Sequence, residues 1–90
     1  MLIVSYDIKN DKVRNKFSKL LQKQGAIRLQ FSVYEVINTQ RVFDNLSILI
    51  EDFATHYLTG ADSVVVFDVN SVKLKKYGNA IHRDQDIVFL

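Results

Sequence analysis

The order in which hydrophobic periodicity changes along this chain is the feature that most constrains its fold. A short apolar run at 2–8 predicts a strand, and an amphipathic helix follows it to about Gln24. An alternating stretch from Ile27, a second amphipathic helix to about Tyr57 and an apolar strand at 63–69 complete the order. This succession predicts an α+β fold, a ferredoxin-like βαββαβ sandwich with two helices on one face of an antiparallel sheet.

Chain length and composition limit the architecture further. Ninety residues predict a single domain over 1–90, because a chain this short cannot form two separate cores. The chain has no cysteine, so neither a disulfide framework nor a thiolate metal site can form. The apolar run at the N-terminus is too short for a signal peptide or a membrane span. These features predict a cytoplasmic protein without membrane contact.

Local signals mark the ends of the elements and the faces of the sheet. Asn10 or Asp11 can cap the first helix, and Gly25 can supply a left-handed stop. The stretch from Ile27 to Ile37 is either one long strand or a hairpin that turns near 30–32, since no Asn-Gly or Gly-Gly marks a turn. The strand period of two predicts which side chains share the sheet face that the helices leave uncovered. These are Ser5, Asp7, Arg28, Gln30 and Ser32.

Charge is divided between two segments of the chain. Residues 9–28 carry seven cations and one carboxylate, a formal charge of +6, whereas residues 35–68 carry one cation and six carboxylates, a charge of −5. This division predicts a basic surface that can hold a polyanion. Four lysines fall in one stripe of the first helix, at Lys12, Lys16, Lys19 and Lys23. An ordinary solvated helix face also explains this stripe, and the pattern alone favours that interpretation.

Asp7 stands at the carboxyl end of the first strand, beside several cations. A carboxylate there can ligate a hard cation, while Lys9, Lys12 and Arg14 near the following helix start can contact phosphate. One carboxylate is a poor Mg²⁺ site, but a twofold axis would pair Asp7 with its symmetry mate. The spacing alone favours a simpler interpretation, in which Asp7 caps the helix or pairs with Lys9.

Three spaced motifs together resemble the CRISPR-associated Cas-two (Cas2) family: Y-D-I, N-D-K-x-R and G-x-x-R-x-Q-x-S-V-Y-E. The resemblance implies a homodimer packed sheet to sheet, in which a C-terminal segment of about 79–90 adds an extra strand to the partner subunit. It also implies Mg²⁺ bound at Asp7, with Tyr6 beside it as a catalytic group. The implied nucleic-acid contacts or supports of the Asp7 site are Arg14, Lys16, Arg28, Ser32 and Tyr34, and with Lys9 and Lys12 from the helix start they complete the predicted nucleic-acid contacts.

The function implied by the resemblance is CRISPR adaptation. The homodimer would bridge dimers of the Cas-one (Cas1) integrase, hold double-stranded DNA and cut phosphodiesters with Mg²⁺, with RNA left open as a substrate. Lys16 stands where the family often has arginine, which retains the charge but loses bidentate geometry. Two alternatives stay open: a stand-alone metal-dependent endoribonuclease similar to VapD-type toxins, and a ferredoxin-like interaction module that binds no nucleic acid.

Overall fold

The computed structural model describes residues 1–37 and 40–78. In chain order its elements are β1 (Leu2–Asp7), α1 (Asp11–Lys23), β2 (Ile27–Gln30), β3 (Val33–Val36), α2 (Gln40–Tyr57), β4 (Ser63–Asp68) and a short 3-10 helix (Ser71–Lys73). The strands form one sheet in the order β2-β3-β1-β4, with antiparallel neighbours throughout. The predicted α+β ferredoxin-like architecture is confirmed. The predicted pairing segment at 79–90 lies outside the described residues.

Both helices bury their apolar stripes against the same face of the sheet. Phe17 and Leu21 of α1 and Leu46 and Phe53 of α2 are buried, together with Val4 of β1. The ring centroids of Phe17 and Phe53 lie 5.0 Å apart, so the two helices meet directly. Each such side chain contributes about 1.5–3 kcal/mol through burial. Within the described ranges, neither helix combines the length and hydrophobicity needed to cross a bilayer.

Both ends of α1 follow the sequence signals. The side chain of Asn10 accepts the backbone N–H of Val13 at 3.1 Å, which confirms Asn10 as the N-cap. After the helix, Gly25 has φ +84°, and the N–H groups of Gly25 and Ala26 donate to the carbonyls of Gln22 and Leu21. This pair of bonds is a Schellman motif, in which the left-handed position favours glycine. The caps fix where α1 begins and therefore where its cations lie.

The stretch that follows α1 is a hairpin with a two-residue turn at Phe31 and Ser32. The register shifts between Arg28 and Gln30, so β2 contains a bulge at Leu29. Ser32 adopts φ +64°, a conformation that a non-glycine residue rarely takes. Of the two predicted possibilities for this stretch, one long strand or a hairpin, the structure shows the hairpin.

The bulge changes the face on which Arg28 lies. Arg28 is opposite Tyr34, and Tyr34 is opposite Val4, whose side chain is in the core. Directly paired residues point to the same side of a sheet, so Arg28 lies on the helix side. The prediction that placed Arg28 on the uncovered face is wrong, because the bulge breaks the period of two. Ser32 is likewise a turn residue rather than a strand residue.

The other sheet face is only partly covered. Residues 74–77 lie over Ile3, Leu29 and Val33, and the Nζ of Lys76 is 2.7 Å from the Oε1 of Glu35, which is buried in this face. The paired positions of β4 on the same face are left open. Val65 lies opposite Ser5 and Phe67 opposite Ile3, and these two β4 side chains are 46% and 49% exposed. The face therefore presents an apolar surface along β4.

Candidate nucleic-acid interface

Five of the predicted site residues meet at one small pocket. It has a volume of about 60 Å³ and lies between β1, α1 and the β2–β3 hairpin. The predicted residues that line it are Tyr6, Arg14, Arg28, Ser32 and Tyr34, and the lining is completed by Asn15, Ser18 and Phe31. We call these eight residues the arginine pocket. Segments that are distant along the chain build it within a single subunit.

Arg14 is held in place from two sides. Its Nη1 donates to the carbonyl oxygen of Ile8 at 3.0 Å, and its Nη2 donates to the carboxylate of Asp11. The side chain is only 24% exposed, and its guanidinium carbon lies 5.5 Å from the ring centroid of Phe31. Arg14 is therefore a pre-organised cation at the rim of the pocket.

Arg28 approaches the same ring from the hairpin. Its guanidinium carbon is 5.7 Å from the centroid of Phe31, and no carboxylate pairs with it in the described part of the chain. Phe31 itself is 67% exposed. The sequence analysis missed Phe31 because it counted as an apolar position of a strand. The signal that could have found it is an aromatic residue next to a turn within the basic segment.

The floor of the pocket is made of tyrosines. Tyr34 is buried, and its hydroxyl bonds with the hydroxyl of Ser18 and accepts from the Nε2 of Gln22 at 3.1 Å. Tyr6 stacks on Tyr34 with ring centroids 6.2 Å apart. Burial, and secondly the neighbouring Tyr34, raise the pKa of the Tyr6 phenol above its ordinary value. Tyr6 is therefore a neutral hydrogen-bonding group at neutral pH rather than a base.

Tyr6 and Asp7 are consecutive in β1 and point to opposite faces of the sheet. Tyr6 is buried on the helix side, whereas Asp7 is exposed. The structure does not bring these two predicted catalytic side chains together within a subunit. A catalytic role for Tyr6 and a nucleic-acid contact for the buried Tyr34 both stay predictions.

The lysine stripe lies on the other flank of α1. Lys16, Lys19 and Lys23 line a groove against α2, and the Nζ of Lys16 is 4.9 Å from the ring centroid of Tyr57. Residues that are two positions apart in a helix are rotated by about 200° around its axis, so Arg14 and Lys16 face different sides of α1. The predicted nucleic-acid contacts therefore do not form one surface. Arg14, Arg28, Ser32 and Tyr34 lie at the arginine pocket, Lys16 lies in this groove, and Lys9 lies beside Asp7, while Lys12 is exposed in the first turn of α1.

Asp7 lies at a corner where β1, the β1–α1 loop and the α2–β4 loop meet. The Nζ of Lys9 donates to the Oδ1 and Oδ2 of Asp7 at 3.1 and 3.0 Å, and both side chains are largely exposed. This is the pairing that the spacing alone favoured. Asp62 joins the same corner, because its Oδ1 accepts the backbone N–H of Lys9 at 2.9 Å. We call Asp7, Lys9 and Asp62 the Asp7 corner.

The sequence analysis also missed Asp62. Its Oδ2 accepts from the backbone N–H and the hydroxyl of Thr59 at 2.9 and 3.1 Å. The hydrogen bond from the Lys9 backbone, and secondly that from the Thr59 backbone, lower the pKa of Asp62 below its ordinary value. Asp62 thus ties the loop that carries Lys9 to the loop after α2. The signal that could have found Asp62 is an acidic residue between Gly60 and a strand.

Within the described residues, no cluster of metal-ligating side chains surrounds Asp7. No group of three or more histidine, cysteine, aspartate or glutamate side chains converges in residues 1–37 and 40–78. Both oxygens of Asp7 contact Lys9, and both oxygens of Asp62 accept hydrogen bonds from protein. Mg²⁺ prefers about six oxygen ligands in octahedral geometry. A magnesium ion at Asp7 would therefore need further oxygen ligands beyond the described residues of this subunit.

Comparison with known proteins identifies the family to which the chain belongs. The family model described as CRISPR associated protein Cas2 matches residues 1–77. The chain belongs to the CRISPR-associated Cas2 family, which confirms the resemblance seen in its motifs. It is similar to the CRISPR-associated endoribonuclease Cas2 2 of Methanospirillum hungatei JF-1, with 40% identity over 55 residues. That match covers 57% of this chain and 61% of the relative, so the chain spans less than two thirds of it.

Proposed function

We propose that this Cas2-family chain is a nucleic-acid-binding homodimer of CRISPR adaptation, which bridges dimers of the Cas1 integrase in the cytoplasm and holds double-stranded DNA. The observation that carries the proposal is the arginine pocket. It places Arg14 and Arg28 at the rim of a polar pocket of about 60 Å³ within one subunit. A guanidinium presents a planar fork of donors that suits phosphate oxygens. The pocket therefore suits a backbone phosphate.

The apolar open face supports the homodimer. Val65 and Phe67 are exposed on an edge strand, where a second copy can bury them by sheet-to-sheet packing. An edge strand also presents unpaired backbone groups to an added strand. The predicted pairing of the segment at 79–90 with the partner subunit belongs to this proposal. Removing 86–90 should then weaken the dimer in sedimentation, whereas a stable full-length monomer would contradict it.

Metal-dependent cleavage is the second part of the proposal. In the dimer, Asp7 and its symmetry mate together would hold Mg²⁺, which supplies a Lewis acid for phosphodiester cleavage. Lys9 must release the carboxylate first. Exposed ion pairs contribute only about 0–1 kcal/mol, so this exchange costs little, and the freed ammonium can contact phosphate. The relative's name, CRISPR-associated endoribonuclease Cas2 2, supports RNA cleavage as a second candidate function. A stand-alone enzyme of the VapD-like kind is the form of it that the sequence analysis left open.

Duplex binding in a salt series tests the binding proposal. Arg28→Ala should weaken binding of the full chain to unrelated duplexes and flatten the salt slope by about one unit, since one phosphate contact is lost. Arg41→Ala is the matched control, because Arg41 is an exposed cation on α2 outside the pocket. Fluorescence anisotropy with labelled duplexes measures both quantities.

Two results would count against the proposal. Equal losses for the Arg28 and Arg41 variants would show that binding depends on net charge rather than on the pocket. A wild-type chain with no salt-dependent binding would favour the remaining alternative, a ferredoxin-like interaction module that binds no nucleic acid. Circular dichroism of each variant verifies that the fold is retained.

A further inference from the structure

Phe31 is an exposed aromatic ring at a rigid position. It occupies the first place of the β2–β3 turn and is 67% exposed. The turn is anchored, because the backbone N–H of Tyr6 in β1 donates to the carbonyl oxygen of Ser32 at 3.1 Å. A single exposed apolar side chain is common and by itself indicates nothing. What distinguishes Phe31 is the set of groups that surrounds it.

Two guanidinium groups lie beside this one ring. The guanidinium carbons of Arg14 and Arg28 are 5.5 and 5.7 Å from its centroid. The electron-rich face of an aromatic ring attracts cations at such distances. Phosphate binding requires the cations but not an exposed ring. An aromatic ring together with arginine is the combination that binds unpaired nucleotides, where the base stacks and the cations contact phosphate.

The size of the pocket indicates where the phosphate and the base of such a ligand can lie. A volume of about 60 Å³ is room for a few water molecules, so the pocket suits a phosphate group better than a nucleobase. The base must then lie outside the pocket, where Phe31 presents its exposed surface. An internal base pair of a duplex is stacked on both faces, so such a base reaches the ring only when it is flipped out or unpaired.

We propose that Phe31 is a stacking site for an unpaired nucleobase, and that the arginine pocket binds nucleic acid with a splayed nucleotide more tightly than continuous duplex. The inference rests on the proposed nucleic-acid binding and adds to it the class of substrate. Arg14 and Arg28 hold the phosphates that flank the base, and Phe31 supplies the preference for the unpaired state.

The test compares two probes of the same sequence, a blunt duplex and the same duplex with a one-nucleotide bulge that carries 2-aminopurine. The wild-type full chain should bind the bulged duplex more tightly and quench its fluorescence. Phe31→Ala should remove the preference, because it should weaken bulged-duplex binding about 5- to 150-fold more than blunt-duplex binding, the range measured for lost base stacking. Phe31→Leu keeps an apolar side chain without a ring and should behave like Phe31→Ala, whereas Phe31→Tyr should retain the preference.

Each other outcome has a distinct meaning. Equal weakening on both probes would show that Phe31 only positions the arginines, and unchanged binding would show that it has no role; either result overturns stacking. Retained preference in Phe31→Leu would indicate apolar contact instead of stacking. A wild-type chain that binds both probes equally also overturns the inference but leaves the proposed function standing. Binding to neither probe would defeat the proposed function itself.

Discussion

The arginine pocket and the Asp7 corner lie at neighbouring positions of β1 but differ in how complete they are. The pocket is assembled within one subunit, with Arg14 anchored at 3.0 Å to a backbone carbonyl and a hydrogen-bonded tyrosine floor. The corner holds one exposed carboxylate, Asp7, whose contact is a lysine, and a second, Asp62, which is engaged with backbone. The two arginines therefore meet within one chain, whereas the described part of the Asp7 corner offers only two carboxylates, both already in contact with protein groups.

Because Tyr6 and Asp7 point to opposite faces of the sheet, the two sites can be changed separately. Substitutions in the pocket should alter affinity for nucleic acid. Substitutions of the two carboxylates of the corner, Asp7 and Asp62, should alter cleavage or local stability and leave affinity nearly unchanged. The following variants test that division, and they are ordered from the largest expected effect to the smallest.

Asp7→Asn should abolish metal-dependent cleavage, because it removes the charge that a hard cation requires and retains the shape of the side chain. Duplex affinity, measured by anisotropy, should change by less than about twofold, since the arginine pocket is intact. Asp44→Asn is the control, since Asp44 is an exposed carboxylate on α2 that accepts from Gln40.

Spacer acquisition in cells is the second readout for Asp7→Asn, and we expect it to survive in a scaffold. Loss of acquisition with dimerisation and binding preserved would refute the scaffold function and make catalysis at Asp7 the main one. Cleavage that persists in the variant would instead assign the activity to another site.

Asp62→Asn should lower thermal stability in a pH-dependent manner. Hydrogen bonds hold the pKa of Asp62 below its ordinary 3.8, so the ionised carboxylate stabilises the folded state above that pH. The stabilisation is lost as pH falls through the lowered pKa of the folded state. The difference in Tm between wild type and variant should be greatest near neutral pH and shrink in acid. A constant difference across pH would show that the charge of Asp62 is irrelevant to stability.

Ser32→Gly should raise the free energy of unfolding by up to about 1 kcal/mol. At φ +64°, glycine avoids the clash that a Cβ makes in the left-handed region, and the greater freedom of the unfolded chain offsets part of the gain. Ser32→Val should be destabilising at the same position. Urea denaturation measures both variants. If the Ser32 hydroxyl contacts nucleic acid, the glycine variant should bind more weakly although it is more stable.

Much of the fold could be predicted from local patterns. The apolar stripe of Val13, Phe17, Leu20 and Leu21 packs against the core as its spacing predicts, since it depends only on the helical period. The Asn10 cap and the Gly25 stop follow from local backbone chemistry. Asn38 and Thr39, which are residue types that can cap the second helix, lie outside the described residues.

The sites were less predictable, because they depend on how separate segments align. The bulge at Leu29 turns Arg28 to the helix side, and no residue pattern in β2 marks it. Phe31 became a candidate site only when the hairpin brought it next to the guanidinium groups of Arg14 and Arg28. Asp62 is bonded to the backbone of Lys9 across 53 residues of sequence.

The sequence by itself determined the order of the strands and helices, the ends of α1 and the division of charge along the chain, because each depends on residues within a few positions of one another. Tertiary structure decided which cations share a surface and what surrounds Asp7. The register between strands and the contacts between loops set these positions. Such contacts contribute free energy only when segments that are distant along the chain pack together.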